Sequence, residues 1–404
     1  MRILYLHQYF MTRAGIGGTR SYEFARRFAA RGHEVSMVTA AAPGEERRRT
    51  VDGIGVIGVR AGFADYMSGT KLGYARRALE FARFATAATV TVLREPRPDV
   101  IYATSPPLTM ALPALAAAIR HRSPLVFEVR DLWPEAPIQM GALTNPLLKR
   151  LARWLERSVY RRAAHVIALS PGMREGVMAA GTPPNKVTLV PNASDLELFS
   201  PELDGSEFRK RLGLGDRFVC SYFGTMGEAN DLTQVVEAAA LMRERGGDDV
   251  VFVLQGDGKR RQALEQLALT RGADSVLFVD PTPKRAVPRL AAASDTCMTI
   301  FKDVPVLYTC SPNKLFDTFA AGRAAIVNTP GWLSDLVERN HAGVAVRPGD
   351  PADLADKVAW LRDHPDEVRR MGENARALAE REFSRDLLAG RMLELLERVA
   401  ADAL

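Results

Sequence analysis

The stretch from Ser311 to Arg323, SPNKLFDTFAAGR, holds a cation and a carboxylate on what should be one short helix. Ser311 is a good helix N-cap, and Pro312 suits the first helical position, where a missing N–H costs nothing. Gly322 suits the left-handed residue beyond the far end. Lys314 is the odd member, because a cation in the first turn opposes the helix dipole. An anion bound by the turn Ser311, Pro312, Asn313 and Lys314 would reverse that sign, since free N–H groups already favour one there. Asp317 lies five residues beyond Pro312, about 7.5 Å along the axis. A carboxylate only accepts hydrogen bonds and can receive two hydroxyls of a diol. A diphosphate at the helix start and a ribose at the acid fit this spacing. The alternative is a surface pair between Lys314 and Asp317, worth roughly 0.2–0.5 kcal/mol.

Two glycine-bearing loops could face the same anion. MTRAGIGGTR carries Gly15, Gly17 and Gly18 after the first strand-like run. Its spacing is G-x-G-G, not the dinucleotide G-x-G-x-x-G, and the second strand ends MVTAAAP without the acid a nicotinamide site wants. A tight turn is the alternative reading. FGTMGEAND carries Gly224, Thr225 and Gly227, and QGDGKR follows the next strand. Arg130 and Asp131 follow VFEV and could form a structural ion pair. His7 ends the first strand, where a buried core histidine is the plain reading. No Asp-x-Asp pair occurs, so a metal clamp on a diphosphate has no motif.

These residues need a scaffold that brings several loops to one edge. Strand-like runs (RILYL, EVSMVTA, PDVIYAT, PLVFEVR, HVIALS, KVTLVPN, then FVCSYFG, VVFVLQG, SVLFVD, TCMTIF, AAIVNT, AGVAVRP) alternate with helical segments. One such helix is expected in LGYARRALEFARFATAATVTVLRE and another in the basic NPLLKRLARWLERSVYRRA. That alternation predicts βαβ units and parallel sheets, and hence an α/β fold. At 404 residues the chain suits two doubly wound domains, with the turn-rich PNASDLELFSPELDGSEF as linker. Ligands of such sheets bind beyond the carboxyl ends of the strands, in a cleft between the two domains. The chain closes on the amphipathic SRDLLAGRMLELLERVAADAL.

With 47% apolar and 25% charged residues, the composition is that of a globular protein. Cys220, Cys297 and Cys310 form no CxxC pair, so they are expected as buried thiols in a reducing compartment. No secretory h-region follows Met1, and no apolar run reaches the roughly 18–20 residues of a membrane span, so a cytoplasmic protein is expected. The net charge of +6 is uneven: residues 1–200 carry 27 Lys and Arg against 16 Asp and Glu, residues 201–404 carry 27 against 32. The basic half implies an anionic surface or ligand, or else a well-solvated arginine surface. No aromatic-basic recognition motif is present, so nucleic acid is not an expected partner.

Taken together, GIGGTRSYEFARRFAARGHEV, VFEVRDLWPE, LVPNASDLELF, YFGTMG, QGDG and SPNKLFDTFAAGR resemble the retaining family 4 glycosyltransferases of the GT-B fold over essentially the whole chain. RDLWPE and SPNKLFD are most similar to the fucosamine and N-acetylamino-sugar branch. The resemblance implies two Rossmann-like domains: residues 1–195 for the acceptor and 196–383 for a nucleotide-sugar donor. Residues 384–404 form a C-terminal helix that crosses back to the first domain. It implies a metal-independent hexosyl or N-acetylamino-sugar transfer. A UDP-sugar is the substrate expected first, with no cofactor. Gly17, Gly18, Gly224, Thr225, Gly227, Ser311, Pro312, Asn313, Lys314 and Asp317 would bind the donor. Arg130, Asp131 and Lys314 would be catalytic, and His7, Arg20 and Trp133 would lie on the acceptor side. The family's paired glutamates are replaced by Thr309 and Asp317. Its Arg and Lys after the glycine loop are missing, with Thr225, Met226, Ala229 and Asn230 there instead. Lys314 is the expected substitute cation, with Lys302 and Arg285 as fallbacks. A lipid-diphosphate-linked sugar at the inner membrane face is the expected acceptor, the basic N-terminal domain meeting an anionic bilayer. A soluble aminocyclitol-like acceptor, or a non-catalytic nucleotide-sugar binder, are the alternatives.

Overall fold

The computed structural model describes residues 1–42, 44–61, 74–247 and 249–403. The chain builds two parallel sheets. The first holds β1 (Arg2–Leu6), β2 (Glu34–Ala40), β3 (Arg48–Val51), β4 (Ile54–Val59), β5 (Val100–Ser105), β6 (Leu125–Val129), β7 (His165–Ala168) and β8 (Val187–Leu189). Its order is β3-β4-β2-β1-β5-β6-β7-β8. The second holds β9 (Phe218–Phe223), β10 (Val250–Gln255), β11 (Val276–Val279), β12 (Thr296–Thr299), β13 (Ala324–Val327) and β14 (Gly343–Ala345), ordered β11-β10-β9-β12-β13-β14. This is the expected pair of doubly wound α/β units. One hairpin departs from it. The strand β3 pairs antiparallel with β4 across the Asp52–Gly53 turn, where an alternation of strands and helices predicts only parallel neighbours. The expected helix from Leu72 is seen as Tyr74–Val92, its first two residues lying outside the described ones.

Both sheets are covered on both faces, which is why their strands read as unbroken apolar runs. In β10 the period-2 alternation sends Val250, Phe252 and Leu254 into one core and Val251 and Val253 into the other. In each sheet the chain reverses direction beside its first strand: β1 lies between β2 and β5, β9 between β10 and β12. Loops leaving those strands therefore gather at the switch points.

Two crossings join the sheets, and they run side by side. The Ser194 N–H donates to the Phe383 carbonyl at 3.1 Å, and the Arg385 N–H donates to the Ser194 carbonyl at 2.9 Å. Phe383 belongs to a core of the second sheet. The helix Arg385–Ala401 returns to the first, burying Leu388, Met392, Leu393 and Leu396 in its core.

Candidate active site

Helix Asn313–Ala320 follows the short turn after β12 and points its start into the cleft between the sheets. Pro312, not Ser311, is its N-cap, and no side chain caps it. The expected cap is recruited elsewhere. Ser311 Oγ accepts the Asn192 backbone N–H at 3.1 Å, and the Ser311 carbonyl accepts the Asn192 side-chain amide. Those two bonds pin the first interdomain crossing to the helix start. Gly322 follows the helix at φ 62°, as expected.

Lys314 is half-buried and turned toward Tyr222 of β9. Its ammonium donates to the Tyr222 hydroxyl at 2.8 Å and sits 4.2 Å from that ring's centroid, with Phe301 at 5.7 Å. Burial among these groups pushes its pKa down to about 7, with only a weak opposing pull from Cys310. Gly224 makes room for it. A Cβ there would stand 3.1 Å from Lys314 Cε, and the backbone has φ 147°.

Asp317 is 2% exposed, yet it forms part of the cavity wall. One oxygen accepts the Ser194 hydroxyl at 2.8 Å, and the other holds the Lys284 ammonium. Lys284 was not among the expected residues; the fallbacks Lys302 and Arg285 are both exposed and neither lines the cavity. Lys284 also ties the two domains together. Its backbone N–H donates to Gly15 O at 3.0 Å, and that of Arg285 donates to Arg13 O at 3.2 Å.

These groups surround a cavity of about 310 Å³. Gly17, Gly18, Gly224, Thr225, Pro312, Asn313, Lys314 and Asp317 line it as a set. Gly227 does not; it sits in the turn beyond, its carbonyl accepting Asn230 N–H at 3.1 Å. Arg385 lines the cavity and was not anticipated. Thr309 lies away from it, its Cγ2 only 2.8 Å from where a Cβ on Gly172 would be.

A second cavity of about 580 Å³ opens alongside, with Gly17, Gly18, Thr225, Ser311 and Asn313 shared or adjacent. Its walls include His7, Arg130, Asp131 and Trp133, the last edge-on to Phe81 at 6.1 Å. Arg130 Nη1 donates to His7 Nε2 at 3.2 Å. A guanidinium only donates, so Nε2 is the bare nitrogen, and Nδ1–H donates to Ser21 Oγ at 2.7 Å. Burial, aided by Arg130, holds the His7 pKa well below its ordinary value, keeping the ring neutral. Burial also raises the Asp131 carboxyl to about 6 against the pull of Arg130. Arg130 and Asp131 thus form no hydrogen-bonded ion pair among those observed; each faces the cavity.

Arg20 does not. It is fully buried, with Nε and Nη2 on Glu128 Oε1 at 3.0 and 2.8 Å and further bonds to the carbonyls of Val190 and Pro191. Tyr102 and Thr104 complete the shell of Glu128. The cleft-facing position assigned to Arg20 is therefore corrected: its charge belongs to the core of the first domain. Of the thiols, Cys220 and Cys297 are buried as expected, whereas Cys310 is half-buried. Among the described residues no helix is long and apolar enough to cross a membrane, and no cluster of three metal-ligating side chains occurs.

Residues 17–193 match the family described as "Glycosyl transferase 4-like domain", and residues 217–364 match "Glycosyl transferases group 1". The chain belongs to the family 4 glycosyltransferases. Among curated relatives, it is 29% identical over 268 residues to alpha-D-kanosaminyltransferase of Streptomyces kanamyceticus, covering 65% of this chain and 67% of that one. It is 25% identical over 297 residues to the putative colanic acid biosynthesis glycosyl transferase WcaI of Escherichia coli, covering 71% and 72%. Among solved structures, Anabaena HepE in complex with UDP and glucose superposes with a TM-score of 0.75 at 20% identity, over 98% of this chain and 100% of that one. The GT-B architecture of this glycosyltransferase is the one expected. The matched families account for the N-terminal loops and the Asn313 helix, but neither extends to Arg385.

Proposed function

We propose that this glycosyltransferase takes a hexose or N-acetylamino sugar from a nucleoside-diphosphate sugar, a UDP-sugar first, and transfers it with retention to a hydroxyl acceptor. Residues 1–195 serve the acceptor and 196–383 the donor. The observation that carries this reading is the 310 Å³ cavity. It joins glycine backbone from both domains, a helix start, cations and one carboxylate. In this assignment the diphosphate lies between Gly17–Gly18 and the Asn313 helix, and the ribose diol approaches Asp317. Charge grows on the leaving diphosphate as the anomeric bond breaks. Fixed N–H donors and the Lys314 ammonium aimed there lower the barrier without moving. The acceptor hydroxyl attacks from the face the diphosphate leaves, and a phosphate oxygen takes its proton. Arg130 and Asp131 orient the transferred sugar from the second cavity. HepE, in its complex with UDP and glucose, and the kanosaminyltransferase relative support a sugar nucleotide as donor.

For the acceptor, a lipid-diphosphate-linked sugar of surface polysaccharide assembly is supported by helix Pro146–Arg162. Leu147 and Trp154 are 72% and 60% exposed on it, beside exposed Arg150, Arg153 and Arg157. Apolar side chains set among cations suit an anionic bilayer, where each cation near the surface contributes about 1 kcal/mol. The second reading is a soluble aminocyclitol-like acceptor, for which the exposed arginines of that helix would be no more than a solvated surface. Incubation with UDP-, GDP-, dTDP- and CDP-sugars and a polyprenyl-diphosphate sugar, read by mass spectrometry and by NMR of the new anomeric centre, tests the reading. An α-linked product from an α-linked donor is expected. A folded protein that binds nucleotides yet yields no product with this acceptor would overturn the lipid-linked reading and leave the soluble acceptor and the non-catalytic binder.

A further inference from the structure

Three cations line the donor cavity, and they differ in what already answers their charge. Lys284 is paired with Asp317. Lys314 rests on a phenol and a ring, with a pKa near neutrality. Arg385 is 2% exposed, and its Nε and Nη1 find no hydrogen-bond acceptor among the described residues. Asp195 comes within 3.7 Å of its Nε, too far for a hydrogen bond, and is shared with Arg13, Arg26 and Arg27. Arg385 is also the first residue of its helix, so it opposes that dipole just as Lys314 opposes its own. A guanidinium stays protonated at any pH the protein meets, and buried donors without acceptors are rare unless a ligand supplies them.

Resting on the nucleotide-sugar reading, we propose that Arg385 is a donor-binding residue whose guanidinium takes the diphosphate oxygens. It thereby replaces the cations that the loop after β9 lacks. The loop offers Gly224, Thr225, Met226, Gly227, Glu228, Ala229 and Asn230, with no basic side chain among them. The C-terminal helix brings one from 155 residues downstream of Asn230, at the seam where both chain crossings meet the cavity. Guanidinium groups suit phosphate because their planar donors match its oxygens in pairs.

The test is nucleotide binding by the full chain. Calorimetry with UDP, GDP, dTDP and CDP first finds the diphosphate that binds the unaltered protein, and ligand-observed NMR reads the matching free nucleoside. Arg385→Gln should weaken the diphosphate about ten- to a hundredfold. It should leave the nucleoside unchanged, with Arg385→Lys falling between. A thermal melt checks that both variants are folded. Equal losses for diphosphate and nucleoside, or no loss for either, would overturn the assignment by making Arg385 a packing residue. If the unaltered protein binds none of the four diphosphates, the donor reading fails and takes this assignment with it. If it binds one and Arg385→Gln binds it as well, only the assignment fails.

Discussion

Arg20 and Arg385 are both buried, both lie near the seam between the sheets, and only one of them is satisfied. Arg20 meets Glu128 and two carbonyls, and Glu128 in turn meets Tyr102 and Thr104. Every charge there has its partner, and the group is part of the architecture. Arg385 keeps two nitrogens without acceptors on the wall of a cavity. Burial is thus a poor guide to role. What separates a structural cation from a ligand-directed one is whether its donors are already spent.

That contrast can be broken, beginning where the effect should be greatest. Arg20→Ala leaves Glu128 buried without its counter-charge and should cost about 3–5 kcal/mol in urea unfolding. A loss under 1 kcal/mol would mean that Glu128 takes up a proton or reaches water instead. Lys314→Ala should lower kcat about a hundred- to a thousandfold, the cost of one preorganised donor at a leaving group, with nucleotide affinity changed less. Asp317→Asn should weaken nucleotide binding about tenfold or more, because an amide is a poorer acceptor for ribose hydroxyls and releases Lys284. Calorimetry at pH 7 decides it.

A subtler effect concerns pH. In the free protein Lys314 loses its proton near pH 7, while an ordinary lysine holds it to 10.5. A bound diphosphate favours the ammonium and raises that pKa, so binding takes up a proton between pH 7 and the higher value. Affinity should therefore be flat below about 7 and fall by up to roughly tenfold per pH unit above it. Lys314→Ala should abolish the slope. The smallest change is expected for Arg385→Met in the nucleotide-free protein. Asp195 keeps Arg13, Arg26 and Arg27, so removing a guanidinium that makes no hydrogen bond should leave stability within about 1 kcal/mol of the parent. Loss of several kcal/mol would put Arg385 in the same class as Arg20.

Much of this was legible in the sequence. The parallel strands announced themselves as apolar runs, and Lys314 as a cation in the wrong turn. Arg385 carried the same signal, one place after Ser384 at the head of an amphipathic helix expected to cross back to the first domain, but nothing in the spacing aimed its first residue at the cleft. Lys284 was unreadable for a related reason: its meaning comes from Asp317, 33 residues on, and from Gly15 across the domain boundary. Arg20 misled because RSYEF opens a helix just after the glycine loop. Only the position of Glu128 on β6 shows that its first residue turns inward. Local pattern reveals a residue's preferences, while long-range pairing decides which of them is met.

The returning helix also bears on how the protein is made. The core of the first sheet is closed by Leu388, Met392 and Leu396, which leave the ribosome after the entire second domain. At about 5–20 residues per second, the stretch between the two crossings takes roughly 10–40 s to synthesise. For that interval the nascent first domain carries an uncovered apolar strip beside helix Arg20–Ala30, a surface for chaperones to hold until the last turns arrive.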